Sequence, residues 1–235
     1  MIASRSSWKR SSSLRYCGAL FDLDGTLIDS GQDIIKSVRH ALGQVFSDRG
    51  LPADEDILVL IGLPLESVVR ELGYPADKEG TRRFAEVYRA FYAEHYNDST
   101  RVYAGIKELL ETLKAAGVKL ALVTTKHQLQ AEFTLVGSGL ACYFDYVHGW
   151  LEGRKHKPDP EPVVTSLAKL DIEPGEAIMV GDSELDIQSA KAADVDTCAV
   201  TYGFRPAWFL KSFHPDFLVA RPVDVTPIVL SQGGD

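Results

Sequence analysis

Asp22 and Asp24 stand two residues apart at the end of a short apolar run, residues 16–21, and Gly25 follows at once. The run has the length and composition of a buried strand. A strand alternates its faces, so the two acids share one side unless the backbone turns after Asp22. Carboxylates crowded at a strand end repel each other and lose hydration, and a divalent cation between them relieves both costs. A bare Asp-x-Asp is equally well read as a loop acid beside a helix N-cap. What ends the other apolar runs decides between the two.

Residues 118–123 end in Thr124-Thr125-Lys126, where a hydroxyl and free backbone amides can hold phosphate oxygens much as a helix N-terminus does. Residues 177–180 end in Gly181-Asp182-Ser183-Glu184-Leu185-Asp186. Here an acid follows the strand directly, and Asp182 and Asp186, four apart at a helix start, face the same way. Asp182 or Ser183 also suits a helix cap with no metal nearby, and Glu184 is expected to face solvent. Between these runs lies Lys157-Pro158-Asp159-Pro160. Prolines on either side fix the backbone and aim the lysine. An ammonium beside a nucleophilic carboxylate offsets its repulsion of an incoming phosphate. His127 and His148 have no metal-ligand partner at useful spacing and read as structural.

Taken together and in this chain order, these stretches resemble the four motifs of the haloacid dehalogenase superfamily of phosphohydrolases, across residues 16–220. The resemblance implies that Asp22 is the nucleophile and that Asp24 is the general acid and base. It implies a magnesium ion held by Asp22, Asp182 and the backbone carbonyl of Asp24, with Gly25 and Thr26 shaping the turn. Thr124, Thr125 and Lys157 are the implied phosphate-binding residues; many relatives have Asn where this chain has Thr125. Gly181 and Asp186 support the site, Asp186 by water or through Lys157.

The elements that must position these groups follow from periodicity. Residues 32–46, 51–60, 65–72 and 76–96 read as helices, the first with Ser30 as its N-cap. The acids at 54–56 suit the positive end of the second. Beyond residue 103 the pattern changes to helices at 106–116, 128–136, 160–170 and 185–193, alternating with strands at 118–123, 144–147, 177–180 and 196–200. That alternation predicts an α/β fold, a doubly wound parallel sheet whose strand C-termini share one edge. The expected division is a Rossmann-like core of 16–30 and 98–235 with an inserted all-helical cap of 31–97. The insertion resembles the C1-type cap, with Gly31 and Gly105 placed to absorb hinge motion. Residues 61–64, Gly62 and Leu63 above all, resemble the specificity loop of phosphoglycolate-phosphatase-like members. The aromatic stripe at Tyr88, Tyr92, His95 and Tyr96 reads first as cap core. A Pro-rich tail from 203, with apolar runs at 217–219 and 228–230, is expected to add a last strand and a closing segment.

Totals narrow the function further. The chain has 235 residues, 45% of them hydrophobic, and 33 acids against 25 Lys and Arg give a net charge of −8. That charge argues against nucleic-acid and anionic-membrane partners, while a bound cation and one Lys still admit an anionic substrate. Cys17, Cys142 and Cys198 are far apart and read as buried free thiols in a reducing, cytoplasmic compartment. Residues 1–15 carry four basic residues, many serines and no acid, a bias loosely like an organellar transit segment, and are set apart as an N-terminal extension. The expected partner is a small phosphorylated metabolite, acted on by a monomer or homodimer. The reading is a magnesium-dependent phosphatase of small phosphomonoesters of the phosphoglycolate type, acting through an aspartyl-phosphate. Pyrophosphate hydrolysis and a phosphosugar mutase of the β-phosphoglucomutase type are the alternatives, and a catalytically idle binding module comes last. Dehalogenation is disfavoured because Asp24 supplies an acid that reaction does not need.

Overall fold

A computed structural model describes residues 14–75 and 77–232 of the chain. Most of the basic N-terminal extension, residues 1–13, lies outside the described residues, as does Ala76 in the stretch expected to start the fourth helix.

The chain opens with strand β1 (Gly18–Phe21), all four residues of which are buried. A small strand β2 (Ile28–Asp29) leads into four helices, α1 (Gly31–Val45), α2 (Asp54–Leu58), α3 (Leu65–Glu71) and α4 (Lys78–His95). Strand β3 (Arg101–Val102) returns to pair antiparallel with β2, so a two-stranded stem carries the chain into and out of the helical insertion. Then come α5 (Ile106–Ala115), β4 (Lys119–His127), α6 (Gln128–Ser138), β5 (Tyr146–Trp150), α7 (Glu161–Leu170), β6 (Ala177–Gly181), α8 (Glu184–Lys191), β7 (Asp196–Val200), α9 (Ala207–Lys211), β8 (Phe217–Val219) and α10 (Val225–Leu230).

Six strands form one parallel sheet in the order β5-β4-β1-β6-β7-β8. β1 is central and apolar on both faces, as a strand covered by helices on both sides must be. Its register aligns Phe21 with Leu122 of β4 and with Val180 of β6. One residue further, Asp22, Val123 and Gly181 stand side by side at the same edge. That alignment is the whole basis of the site.

Apolar clusters cover the sheet on both faces and fill the helical insertion. Phe21, Leu23, Leu27, Ile106, Leu110, Leu122 and Val180 pack beneath the sheet edge. Ile35, Val38, Leu42, Ile57, Val69, Phe84 and Tyr92 form a separate core within α1 to α4. The long α4 lies along α1, placing the aromatic stripe of Tyr88 and Tyr92 inside.

Several boundaries differ from expectation for local reasons. β4 continues past Val123 because its pairing, after an irregular stretch, resumes at His127 opposite Trp150. β5 starts at Tyr146 rather than Phe144, since Ala141–Tyr143 makes a tight 3₁₀ turn first. α2 covers only Asp54–Leu58, with Leu51 and Pro52 in the extended chain ahead of it. The stem strands and α9 were not anticipated, and residues 228–230 are helical within α10. The helix expected to end near Gly137 runs through it to Ser138, and Gly139 closes it at φ 70°. Residues 14 and 15 are not loose: Leu14 bridges Gln232, and the Arg15 amide donates to the Ser231 carbonyl. The cysteines are free, but only Cys198 is buried; Cys17 is half-buried and Cys142 exposed, because each falls at a different depth of its element. Among the described residues no helix is long and apolar enough to cross a membrane.

Candidate active site

Because β1 stops at Phe21, the Asp22 amide still bonds the Val180 carbonyl at 3.0 Å while its side chain leaves the sheet edge. Lys157 comes to meet it from the loop ahead of α7, through a cis bond to Pro158. The ammonium is 2% exposed and donates to Asp22 Oδ1 at 2.8 Å, to Asp186 Oδ1 at 2.5 Å and to the Val123 carbonyl at 2.8 Å. Burial by itself would lower this lysine, but Asp186 and Asp22 outweigh it and hold it protonated. The aim expected from the prolines is what the side chain shows.

Asp182 follows β6 and is as deeply buried. Its Oδ1 accepts from the Thr26 hydroxyl at 3.3 Å and its Oδ2 from the Phe204 amide at 2.7 Å. Ser183 caps α8 in a reciprocal box with Asp186: the Ser183 amide and hydroxyl both donate to Asp186 Oδ2, at 3.0 and 2.6 Å. So Ser183 is the cap, and Asp182 is left for other work.

Asp22, Asp182 and Asp186 bring carboxylate oxygens within 4.8 Å of one another. Burial pushes the Asp22 carboxyl well above its ordinary range, opposed by Lys157 and reinforced by Asp186. Burial and then the charges of Asp22 and Asp186 push Asp182 up likewise. Lys157 bonds two of these buried carboxylates and not Asp182, a deficit of positive charge that a divalent cation with oxygen ligands fits.

The metal set implied by resemblance takes only the backbone carbonyl of Asp24. Asp24 does not add its carboxylate to this cluster. Lys126 donates to both its oxygens, at 2.9 and 2.8 Å, and the Ser30 hydroxyl donates to Oδ1 at 2.5 Å. Ser30 therefore starts α1 without a side-chain capping bond, contrary to expectation, because its hydroxyl is engaged by Asp24. Asp186, assigned only a supporting part, is the third carboxylate of the cluster. Glu184 does not face solvent: it accepts from Arg205 Nε at 3.0 Å.

Backbone shape keeps this cluster tight. Gly25 sits at φ +85°, and a Cβ there would fall 2.2 Å from Asp182 Oδ2. Gly203, from the turn after β7, would meet Asp182 Cβ at 2.3 Å and the Gly25 carbonyl at 2.4 Å. Sequence reading singled out Gly25 and Gly181 but missed Gly203, whose neighbours come from distant strands.

A cleft of about 310 Å³ opens above the acids. On the core side Asp22, Asp24, Thr124, Thr125, Lys126 and Asp182 line it; on the helical side Ile34, Val38, Ile57, Leu60, Gly62 and Leu63 do. Gly25 and Thr26 lie against Asp182, and Gly181 against Asp186, rather than in the lining itself. Thr124 is buried and its Oγ1 accepts from the Lys126 amide at 3.2 Å. Of the aromatic stripe, Tyr88 reaches the cleft, whereas His95 and Tyr96 do not line it. His127 also lines it, edge-on to Trp150. His148 is buried in β5 with neither ring nitrogen hydrogen-bonded, and burial holds its pKa below the usual histidine value.

Lys126 is the functional side chain the sequence reading passed over, though it directly follows the two threonines. Beyond its pairing with Asp24, its Nζ lies 4.6 Å from the centre of the Tyr92 ring, on the helical side.

Known proteins are similar to this chain in sequence and in fold. A family model for haloacid dehalogenase-like hydrolases matches residues 19–200. The chain is 36% identical over 217 residues to pyrophosphatase PpaX of Bacillus velezensis, covering 91% of this chain and 96% of that one. It is 34% identical to pyrophosphatase PpaX of Bacillus cereus over 210 residues, covering 89% and 94%. Among solved structures it resembles a predicted phosphatase from Clostridium acetobutylicum, with a TM-score of 0.83, 30% identity and coverage of 91% and 98%. A predicted phosphoglycolate phosphatase from Haemophilus somnus is similar at a TM-score of 0.80, 26% identity and coverage of 91% and 98%. The match spans every residue of the site from Asp22 to Asp186 and leaves one assignment: the chain belongs to the haloacid dehalogenase-like hydrolases and is a phosphatase.

Proposed function

We propose that the protein is a magnesium-dependent phosphomonoesterase in which Asp22 is the nucleophile. The observation that carries this reading is Asp22 itself, pinned by Lys157 at 2.8 Å at the open end of the central strand and facing a cleft it shares with Asp24. Magnesium, held by Asp22 and Asp182 with Asp186 beside them, would supply Lewis-acid charge against the phosphoryl oxygens.

The chain's own groups then divide the work. One Asp22 carboxylate oxygen attacks phosphorus in line, forming an aspartyl-phosphate as the ester P–O bond breaks. Asp24 delivers a proton to the departing oxygen, and later takes one from the water that attacks the acyl phosphate. Lys157 and the Thr124 and Thr125 region carry the charge on the equatorial oxygens. Lys126 and Ser30 fix the Asp24 carboxyl for both transfers.

The helical side of the cleft favours an ester with an organic body. Ile34, Val38, Ile57, Leu60 and Leu63 offer a leaving group apolar contact, whereas Lys126 in the lining and Lys157 beside Asp22 are already paired with acids. The names of the curated relatives favour a second reading, hydrolysis of pyrophosphate.

Phosphate release from phosphoglycolate, hexose phosphates and pyrophosphate, with and without magnesium, separates them. We expect a monoester to exceed pyrophosphate in kcat/KM by about tenfold or more, the scale of a few well-placed apolar contacts. The reverse order assigns the protein as a pyrophosphatase, and release that needs no magnesium overturns the metal assignment.

A further inference from the structure

One buried charge near the cleft takes no part in the steps above. Arg205, in the turn between β7 and α9, is 4% exposed. Its Nη2 donates to the Ile61 carbonyl at 2.9 Å and its Nη1 to the Leu58 carbonyl at 3.5 Å, both in the helical insertion. Its Nε bonds Glu184 Oε2 at 3.0 Å, on the first residue of α8.

Each partner has a reason to be there. Leu58 ends α2, where carbonyls lack helical donors and a cation is favoured. Glu184 supplies the charge without which a desolvated guanidinium would be costly. The neighbouring residues extend the connection. The Phe204 amide bonds Asp182 at 2.7 Å, its ring packs against the core of the insertion, and it lies beside Gly31, where that insertion begins. Three successive residues thus touch the acid cluster, the entry to the insertion and the loop bearing Gly62 and Leu63.

We propose that Arg205 is a positioning residue that pins the loop of residues 58–63 to the core, and so sets the wall against which the leaving group packs. The proposal rests on the reading of the cleft as a phosphoester site. Its hydrogen bonds go to Glu184, Leu58 and Ile61, and none to Asp22 or Lys157.

The test uses the full chain and Arg205→Met, with Arg205→Lys and Glu184→Gln as milder variants. Hydrogen exchange of backbone amides 57–63 is measured first. In Arg205→Met those amides should exchange about tenfold faster or more, the scale of one lost charged hydrogen bond, while β1 and β6 amides stay unchanged. The KM for p-nitrophenyl phosphate should rise by about tenfold, while the inhibition constant of inorganic phosphate, which meets only the phosphoryl subsite, moves less than about twofold. Arg205→Lys, able to reach one carbonyl, should recover part of both losses. Wild-type exchange at 57–63 in Arg205→Met, or equal weakening of ester and inorganic phosphate, overturns the proposal. Should Arg205→Met not fold, wild-type exchange and KM in both milder variants overturn it. If the wild type releases phosphate from no ester, the site reading fails, and the exchange arm alone still decides whether Arg205 holds the loop.

Discussion

Lys126 holds both oxygens of Asp24 while its ammonium rests over the Tyr92 ring, so one side chain joins the acid–base residue to the helical insertion. Both partners of the ion pair are largely buried, at 6% and 13% exposure, where an unpaired charge is costly. Lys126→Met should lower kcat by about a hundredfold, as expected for loss of an oriented proton-transfer group, with a smaller change in KM. Steady-state kinetics across the ester panel checks this, and an unchanged kcat removes Lys126 from the mechanism. Asp22→Asn should abolish turnover while leaving the melting temperature within a few degrees, because an amide of the same shape avoids the cost of burying a charge. Retained phosphate release would take the nucleophile's role from Asp22. At this scale the acids were readable because chemistry demands their type at a strand end. Lys126, Arg205 and Glu184 were not, because a long side chain can point several ways until the fold supplies its partner. Gly203 was hidden for a related reason: only tertiary neighbours make its missing Cβ matter.

At the scale of elements, Asp33 shows how the helical insertion is held. It lies buried in the first turn of α1 and accepts from the Ser99 amide at 3.0 and 2.9 Å, and from the Thr100 amide and hydroxyl at 2.8 Å each. The two points where the chain leaves and re-enters the core are therefore tied by one carboxylate. Burial alone would raise its pKa, but the bonds from Ser99 and Thr100 outweigh it and hold it below the usual value of 3.8. A depressed carboxyl contributes stability that is present above its unfolded value and lost as pH falls through the folded one. Asp33→Ala should cost about 3 kcal/mol at neutral pH, by leaving buried amides unsatisfied. The cost should shrink below about pH 4, where the wild type loses the same charge. Denaturant unfolding of both proteins at neutral and acid pH measures it, and a cost that does not shrink assigns the loss to packing instead. The helices themselves were legible from apolar spacing. The tie was not, since Asp33 reads in the sequence as an ordinary first-turn acid. The extension of β4 through an irregular stretch was equally hidden, being fixed by where β5 pairs.

For the molecule as a whole, a parallel sheet with function clustered at one edge follows from strand–helix alternation and was readable in advance, whereas the strand order β5-β4-β1-β6-β7-β8 was not. The balance of charge around that edge was not, because it depends on which acids turn inward. Three buried carboxylates, of which Lys157 bonds only two, predict that magnesium stabilises the folded state. At about a hundredfold over its dissociation constant, the ion should add about 2.7 kcal/mol, seen as a rise in melting temperature. Asp182→Asn should abolish that rise. A magnesium-induced shift that survives the substitution would place the ion elsewhere.

The position of β1 in the chain has a consequence for how the protein is made. Gly18 pairs with Lys119 on one side and Ala177 on the other. A ribosome adding about 5–20 residues per second delivers the first of those partners only seconds after β1 has emerged. Helices α1 to α4, whose contacts are local, form on far shorter timescales. The insertion is thus complete while the fully apolar central strand still waits unpaired, a natural client for a chaperone during synthesis. Asp22 meets Lys157 only when a residue 135 positions further along the chain has been made, so catalytic competence comes long after β1 itself.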